Sequence, residues 1–139
     1  MLVELEDVPA LVEEIRASKV VALDLETTSL DSRRDQTRLM SLATARRARG
    51  VWFVDHFESA PTPVLEALKR KTLFIHNAAF DLGFSDQLGY EHEGEPIDTM
   101  LLTQLLYAEA AVPPLKKGRT SHTLDTVAER ELDTTLVKA

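Results

Sequence analysis

At 139 residues, 44% of them hydrophobic, the chain is long enough for one domain with a buried core. It has no cysteine, which excludes a disulfide framework and any thiolate metal site. Its net charge of −7 argues against a protein that holds nucleic acid by a basic face, yet leaves open an acidic site that meets nucleic acid through bound cations.

The spacing of Leu11, Val12 and Ile15 predicts a short amphipathic helix over Pro9–Arg16. Val20–Leu25 is a brief apolar run rich in β-formers and predicts a buried strand. Ser29–Gln36 is polar and turn-like. Leu39–Thr44 and Val51–Val54 predict two further strands joined by the basic turn Ala45–Gly50, so that the first three strands form an antiparallel meander. Trp52 and Phe53 on the third strand read as packing residues.

A helix over Pro63–Arg70 and a fourth strand, Leu73–Ile75, follow. Next comes a helix over Ala78–Leu88, with Phe80, Phe84 and Leu88 four apart. Pro96 and Ile97 suggest a fifth short strand, and Thr99–Ala108 a strongly apolar helix headed by Asp98 as its cap. Val112–Thr120 is a loop with two prolines and the basic residues Lys116, Lys117 and Arg119. His122–Leu132 closes the chain as a helix with Leu124, Val127, Ala128 and Leu132 at helical spacing. Strands first, then strand–helix alternation, indicate an α/β fold with a mixed sheet. No run of about 18 apolar residues is present to span a membrane. Met1–Glu6 lacks a signal-peptide layout, so the expectation is a soluble, cytoplasmic protein.

Two clusters carry chemistry. In Asp24-Leu25-Glu26 the acids are two apart on a strand and share a face. Paired carboxylates repel unless a cation lies between them, and Mg²⁺ prefers such hard oxygen donors. By itself the pattern reads more readily as the solvated end of a strand. In His76-Asn77-Ala78-Ala79-Phe80-Asp81 a strand gives way to a helix, with Asn77, the only asparagine, at the N-cap position and Asp81 in the first turn. Both have ordinary structural uses there, as a cap and as a negative charge near a helix N-terminus.

Taken together, VALDLETTSLD at 21–31, IHNAAFDLGF at 75–84 and DTMLLTQLL at 98–106 resemble the proofreading 3′–5′ exonuclease domain of bacterial DNA polymerase I and, more distantly, ribonuclease D. SHTLDTVAERELDTTL at 121–136 is similar to the stretch that precedes that family's last motif. The resemblance runs from about Val3 to Val137 and implies a ribonuclease H-like fold, a mixed five-stranded sheet flanked by helices. It implies that Asp24, Glu26 and Asp81 are catalytic and ligate two divalent ions, Mg²⁺ or Mn²⁺, with Asp24 bridging both. It implies that Thr27, Leu30 and Asn77 contact the nucleic acid: Asn77 places the scissile nucleotide, and Thr27 and Leu30 line the pocket of the 3′-terminal one. Phe80 matches a packing position. The reaction implied is two-metal hydrolysis of a terminal phosphodiester, the ions about 4 Å apart. It acts on single-stranded or frayed DNA 3′ ends and releases nucleoside 5′-monophosphates.

The family takes a fourth carboxylate from a closing helix, as Tyr-x-x-x-Asp or His-x-x-x-x-Asp. Four residues beyond Tyr90 and Tyr107 stand Gly94 and Ala111, and the pair His76 and Asp81 falls in the wrong place in the chain order. The expectation is a single exonuclease-like domain over 1–139 that lacks this helix, with Ala139 an interruption. Three sources of the missing acid stay open: a C-terminal fragment or an adjoining polymerase, none at all in a non-catalytic scaffold, or Asp125, Glu129 or Asp133 of the last helix. Arg33, Arg34, Arg38, Arg46, Arg47 and Arg49 read as solvated turn residues or phosphate contacts. His56, His92 and His122 show no ligand spacing and read as surface residues.

Overall fold

The computed structural model describes residues 1–46, 50–56, 62–107 and 122–136. The tip of the basic turn, with Arg47 and Arg49, and the late loop with Lys116, Lys117 and Arg119 lie outside the described residues. The chain divides into two compact units, Met1–Ile97 and Asp98–Ala139.

The sheet has five strands in the order β3-β2-β1-β4-β5. These are β1 (Val20–Thr27), β2 (Thr37–Thr44), β3 (Trp52–Asp55), β4 (Thr72–Ile75) and β5 (Pro96–Asp98). β1 and β2, then β2 and β3, pair antiparallel as the expected meander. β4 lies parallel to β1, with Val20–Ala22 opposite Thr72–Phe74. The sheet is therefore mixed, with β1 at its centre.

Among the described residues the first unit holds the α-helices α1 (Val8–Ala17), α2 (Thr62–Leu68) and α3 (Ala78–Ser85). Leu11, Val12 and Ile15 of α1 are buried, as their spacing requires, with Val64 and Leu68 of α2 and Phe84 of α3 in the same core as Val21, Leu23, Leu25, Met40 and Leu42. Trp52 joins that core, and Phe53 is bridged by Leu2 along the outer edge of β3. Phe80 packs on Phe84 with ring centroids 5.0 Å apart.

The helix expected to run to Leu88 instead tightens into a 3₁₀ turn over Asp86–Leu88. Gly89, at φ +68°, then stops it. Glycine pays least for that left-handed turn.

Gly94 is required for a different reason. A Cβ there would run into the Lys71 carbonyl oxygen and lie 2.9 Å from the Arg70 carbonyl carbon. Both are backbone atoms, pinned by the Gly94 and Glu93 amides donating to Lys69 O at 3.1 and 2.8 Å. Gly94→Ala is expected to destabilise the chain by about 1–3 kcal/mol, as overpacking does. Urea unfolding measures this, and an unchanged midpoint would refute the clash.

The second unit contains α4 (Thr99–Leu106) and α5 (Leu124–Leu132). Asp98 caps α4 as expected, its carboxylate accepting from the Met100 and Leu101 amides at 2.9 and 3.3 Å. The apolar character of α4 does not translate into burial: Leu101, Leu102, Leu105 and Leu106 are all exposed, and among α4 residues only Thr103 is buried. In α5 the same holds, with Thr126 and Ala128 buried while Leu124 and Leu132 are exposed. Helical spacing shows which residues share a stripe, but not what covers it. Asp125, one of the acids weighed for the missing ligand, braces the start of α5 by accepting from Thr123 Oγ1 and the Thr126 amide. Among the described residues no helix is long and apolar enough to cross a membrane.

All three histidines expected at the surface are drawn inward. His122 is buried, its Nδ1 3.1 Å from Thr103 Oγ1. His92 is half-buried, with Nδ1 2.8 Å from the Tyr90 hydroxyl. Both ring nitrogens of His56 are shut off from solvent. An imidazole without ligand spacing is small and apolar enough to pack, and pattern alone does not reveal that.

Candidate active site

Along β1 burial alternates strictly: Val21, Leu23 and Leu25 are buried, and Ala22, Asp24 and Glu26 are exposed. Asp24 and Glu26 therefore leave the same face of the central strand, as their spacing predicts. The strand runs two residues past its expected end. Its pairing with β2 shifts register between Glu26 and Thr27. Such irregularities bend a strand and re-aim its side chains.

Asp81 approaches the same stretch of strand from α3. Ala78, Asp81, Phe84 and Ser85 form the buried side of that helix, and Asp81 is only 3% exposed. Its Oδ1 accepts the Leu25 amide at 2.9 Å, across 56 residues of sequence. The β1–β4 ladder has its last pair at Ala22 and Phe74. Beyond that pair, the Asp81 carboxylate accepts a strand N–H. The third acid is thus fixed to the backbone between the other two.

Asn77 heads α3 at φ 69° and ψ 58°, left-handed, without a side-chain capping hydrogen bond. It does not cap in the expected manner. Asparagine is among the few residues that tolerate this conformation, and such strained positions cluster at functional sites. Thr27 is half-buried and its Oγ1 donates to the Ser29 carbonyl. Leu30 is 81% exposed. The turn between them is braced by Thr28 N–H to Gln36 O at 2.9 Å and Gln36 N–H to Thr28 Oγ1 at 3.0 Å. The arginines that follow are paired: Arg33 and Arg34 with Asp31, and Arg38 with Asp55 at 2.9 Å.

Partial burial, and then the charge of Glu26, hold the Asp24 carboxyl above its usual range, while His76 pulls it down. The folded state therefore keeps this proton to a higher pH than the unfolded chain does. Stability falls as pH rises from the ordinary Asp range through the raised value. Asp24→Asn removes that loss. The variant is expected to be more stable at pH 7, by no more than about 0.5 kcal/mol at so exposed a position. The gain should fade below about pH 4, where aspartate protonates. Urea unfolding at the two pH values measures it; a variant less stable at pH 7, or a gain that persists in acid, contradicts the reasoning.

The donor chemistry of Asp24, Glu26 and Asp81 fits a hard divalent cation, being all carboxylate oxygen. Among the described residues, however, no three His, Cys, Asp or Glu side chains stand close enough to form a ready-made ion site. Repulsion between Asp24 and Glu26, and the bond holding Asp81 to the Leu25 amide, oppose convergence of the three.

A mixed five-stranded sheet with two acids on its central strand and a third from the helix after β4 defines a ribonuclease H-like nuclease fold. The chain belongs to the 3′–5′ exonuclease family, which it matches over residues 2–139. No curated protein matches it by sequence. Among solved structures it is similar to Escherichia coli RNase D, an exoribonuclease involved in structured RNA processing, at 21% identity and TM-score 0.76, covering 100% of this chain and 35% of that one. It is similar to Trypanosoma brucei RNase D in complex with RNA U12, at 17% identity and TM-score 0.73, covering 98% and 48%. It is also similar to Brucella melitensis NrnC with bound Mg²⁺, at 17% identity and TM-score 0.67, covering 91% and 59%. The chain thus spans about a third of the E. coli enzyme and under two thirds of the others. At these identities the likeness is one of fold.

Proposed function

We propose that this chain forms the acidic face of a 3′–5′ exonuclease that hydrolyses the terminal phosphodiester of a single-stranded or frayed 3′ end. The observation that carries the reading is the hydrogen bond from the Leu25 amide to Asp81, which brings a third carboxylate to the strand bearing Asp24 and Glu26. Those three would hold two divalent ions, Mg²⁺ or Mn²⁺. Bound there, such ions lower the pKa of an attacking water and offset charge on the leaving oxygen.

The rest falls to the chain itself. Asp81 is anchored to the strand by a backbone donor, and ion binding would have to draw its carboxylate together with those of Asp24 and Glu26. Leu30, bare to solvent just past the acids, offers an apolar surface to the terminal base, with Thr27 beside it. Asn77 stands at the head of the helix that carries Asp81 and positions the scissile nucleotide. A single-stranded end is preferred because a paired terminus must first be unstacked. The Tyr-x-x-x-Asp element is absent from these 139 residues, and we assign it to a segment or partner outside them, such as one adjoining a polymerase.

The likeness of residues 21–31 to DNA polymerase I favours a proofreading-type enzyme acting on DNA. The fold likeness to RNase D enzymes, one of them holding RNA U12, favours an RNA strand to a similar degree. Digestion of matched DNA and RNA strands separates the two.

Calorimetric titration of Mg²⁺ and Mn²⁺ into the chain and into its Asp24→Ala variant tests the site itself. Saturable binding that the variant loses is the expected result. No binding, or binding that survives the substitution, would leave a scaffold with an exonuclease fold. Without the fourth acid, turnover by this chain is expected to be lower by at least about 10²–10⁴-fold, the usual cost of one acid–base group.

A further inference from the structure

A cavity of about 410 Å³ opens beside the turn that follows the acids, lined by Gln36, Thr37, His56, Thr62, Leu65, Gln87 and Leu88. Its wall is unusual in its unmet hydrogen-bonding capacity. Thr37 is 3% exposed, yet its Oγ1 makes no hydrogen bond. Both ring nitrogens of His56 are shielded from solvent and make none either. Buried polar atoms are almost always paired, and those left over call for a partner.

The chemistry of the wall narrows what that partner is. Burial holds the His56 imidazole below its usual pKa, against the pull of Asp55, which favours the neutral ring. A neutral imidazole presents one donor and one acceptor, and a threonine hydroxyl and a glutamine amide each both donate and accept. Among the described residues the lining carries no lysine or arginine to meet a phosphate and no carboxylate to meet a metal or an amine. Two leucines supply apolar faces. The volume lies in the range of small-molecule pockets, about 300–1,000 Å³. Alternating donors and acceptors between apolar faces suit a flat, uncharged heterocycle.

We propose that this cavity is a nucleobase-binding site, separate from the three acids, that takes one base from a free nucleoside or from an unpaired strand through His56 and Thr37. Binding requires the imidazole and the Thr37 side chain to turn so that their shielded polar atoms face the cavity. Gln36 exchanges two hydrogen bonds with Thr28, so an occupant also braces the turn that carries Leu30.

The test follows the His56 ring by nitrogen–proton correlation NMR in the full chain, with a chelator present so that nothing is hydrolysed. Adenosine, cytidine, a short oligodeoxynucleotide and inorganic phosphate are added in turn. The expected result is a saturable His56 shift with a nucleoside, or with the strand alone if the base must arrive on a chain, and no shift with phosphate. Affinity should weaken at least about tenfold in Thr37→Val. That variant keeps the side-chain shape and removes only a hydroxyl that makes no hydrogen bond, so it should fold. Asp24→Ala should bind the base unchanged, which separates failure of this site from failure of the acidic one. A His56 ring unmoved by nucleosides and strand alike, an equal response to phosphate, or undiminished affinity in Thr37→Val would overturn the proposal.

Discussion

Asp81→Ala is expected to abolish divalent-ion binding and to destabilise the chain by about 1–3 kcal/mol, the cost of leaving a buried amide unpaired. The amide is that of Leu25, and the carboxylate that accepts it is 3% exposed. Asp81→Asn separates the two effects. Its side-chain oxygen can still accept the Leu25 N–H, so most of the stability should return. Its lost charge should leave ion binding as weak as in the alanine variant. Urea unfolding reads the first effect and calorimetry the second. An asparagine variant that binds Mg²⁺ like the parent chain would mean that Asp81 serves only the fold. An alanine variant of undiminished stability would mean that the bond to Leu25 contributes nothing net.

Phe84→Ala carries the largest stability change expected in the chain. Phe84 is fully buried, and its ring meets that of Phe80 at a tilt of 52° with centroids 5.0 Å apart. Truncating a buried phenylalanine costs about 3–5 kcal/mol, from lost transfer free energy and the cavity left behind. Phe84 also lies one turn after Asp81 on the buried side of α3. A void beneath the helix should loosen the Asp81–Leu25 bond, so hydrogen exchange at the Leu25 amide should quicken by more than the fall in global stability explains. Phe84→Leu should lose less on both counts. Exchange at Leu25 that merely tracks global stability would show that the packing under α3 does not position the acid.

Exposed leucines on α4 and α5 mark the limit of what periodicity can say. Leu105 is 82% exposed and Leu132 is 72% exposed, though each falls on the apolar stripe of its helix. A hydrophobic pattern reports the side of a helix that water disfavours. It is silent on whether another surface arrives to cover it.

What the sequence determined by itself was local. The alternation in Val20–Thr27 put Asp24 and Glu26 on one face, because side chains on a strand repeat every two residues. Asp98 reads as a cap because a carboxylate suits the free amides of a helix start, and it bonds two of them. The five strands and the meander follow from short β-rich runs bounded by turn residues.

Tertiary structure alone decided the remainder. It placed Asp81 on the Leu25 amide, turned Asn77 left-handed without a capping bond, and tightened the end of α3 into a 3₁₀ turn. It also drew His56, His92 and His122 inward and left Thr37 and His56 unpaired around a cavity. Each of these rests on contacts between residues far apart in the chain. Periodicity and capping are properties of neighbours; desolvation and hydrogen-bond partnership depend on what the rest of the fold brings close.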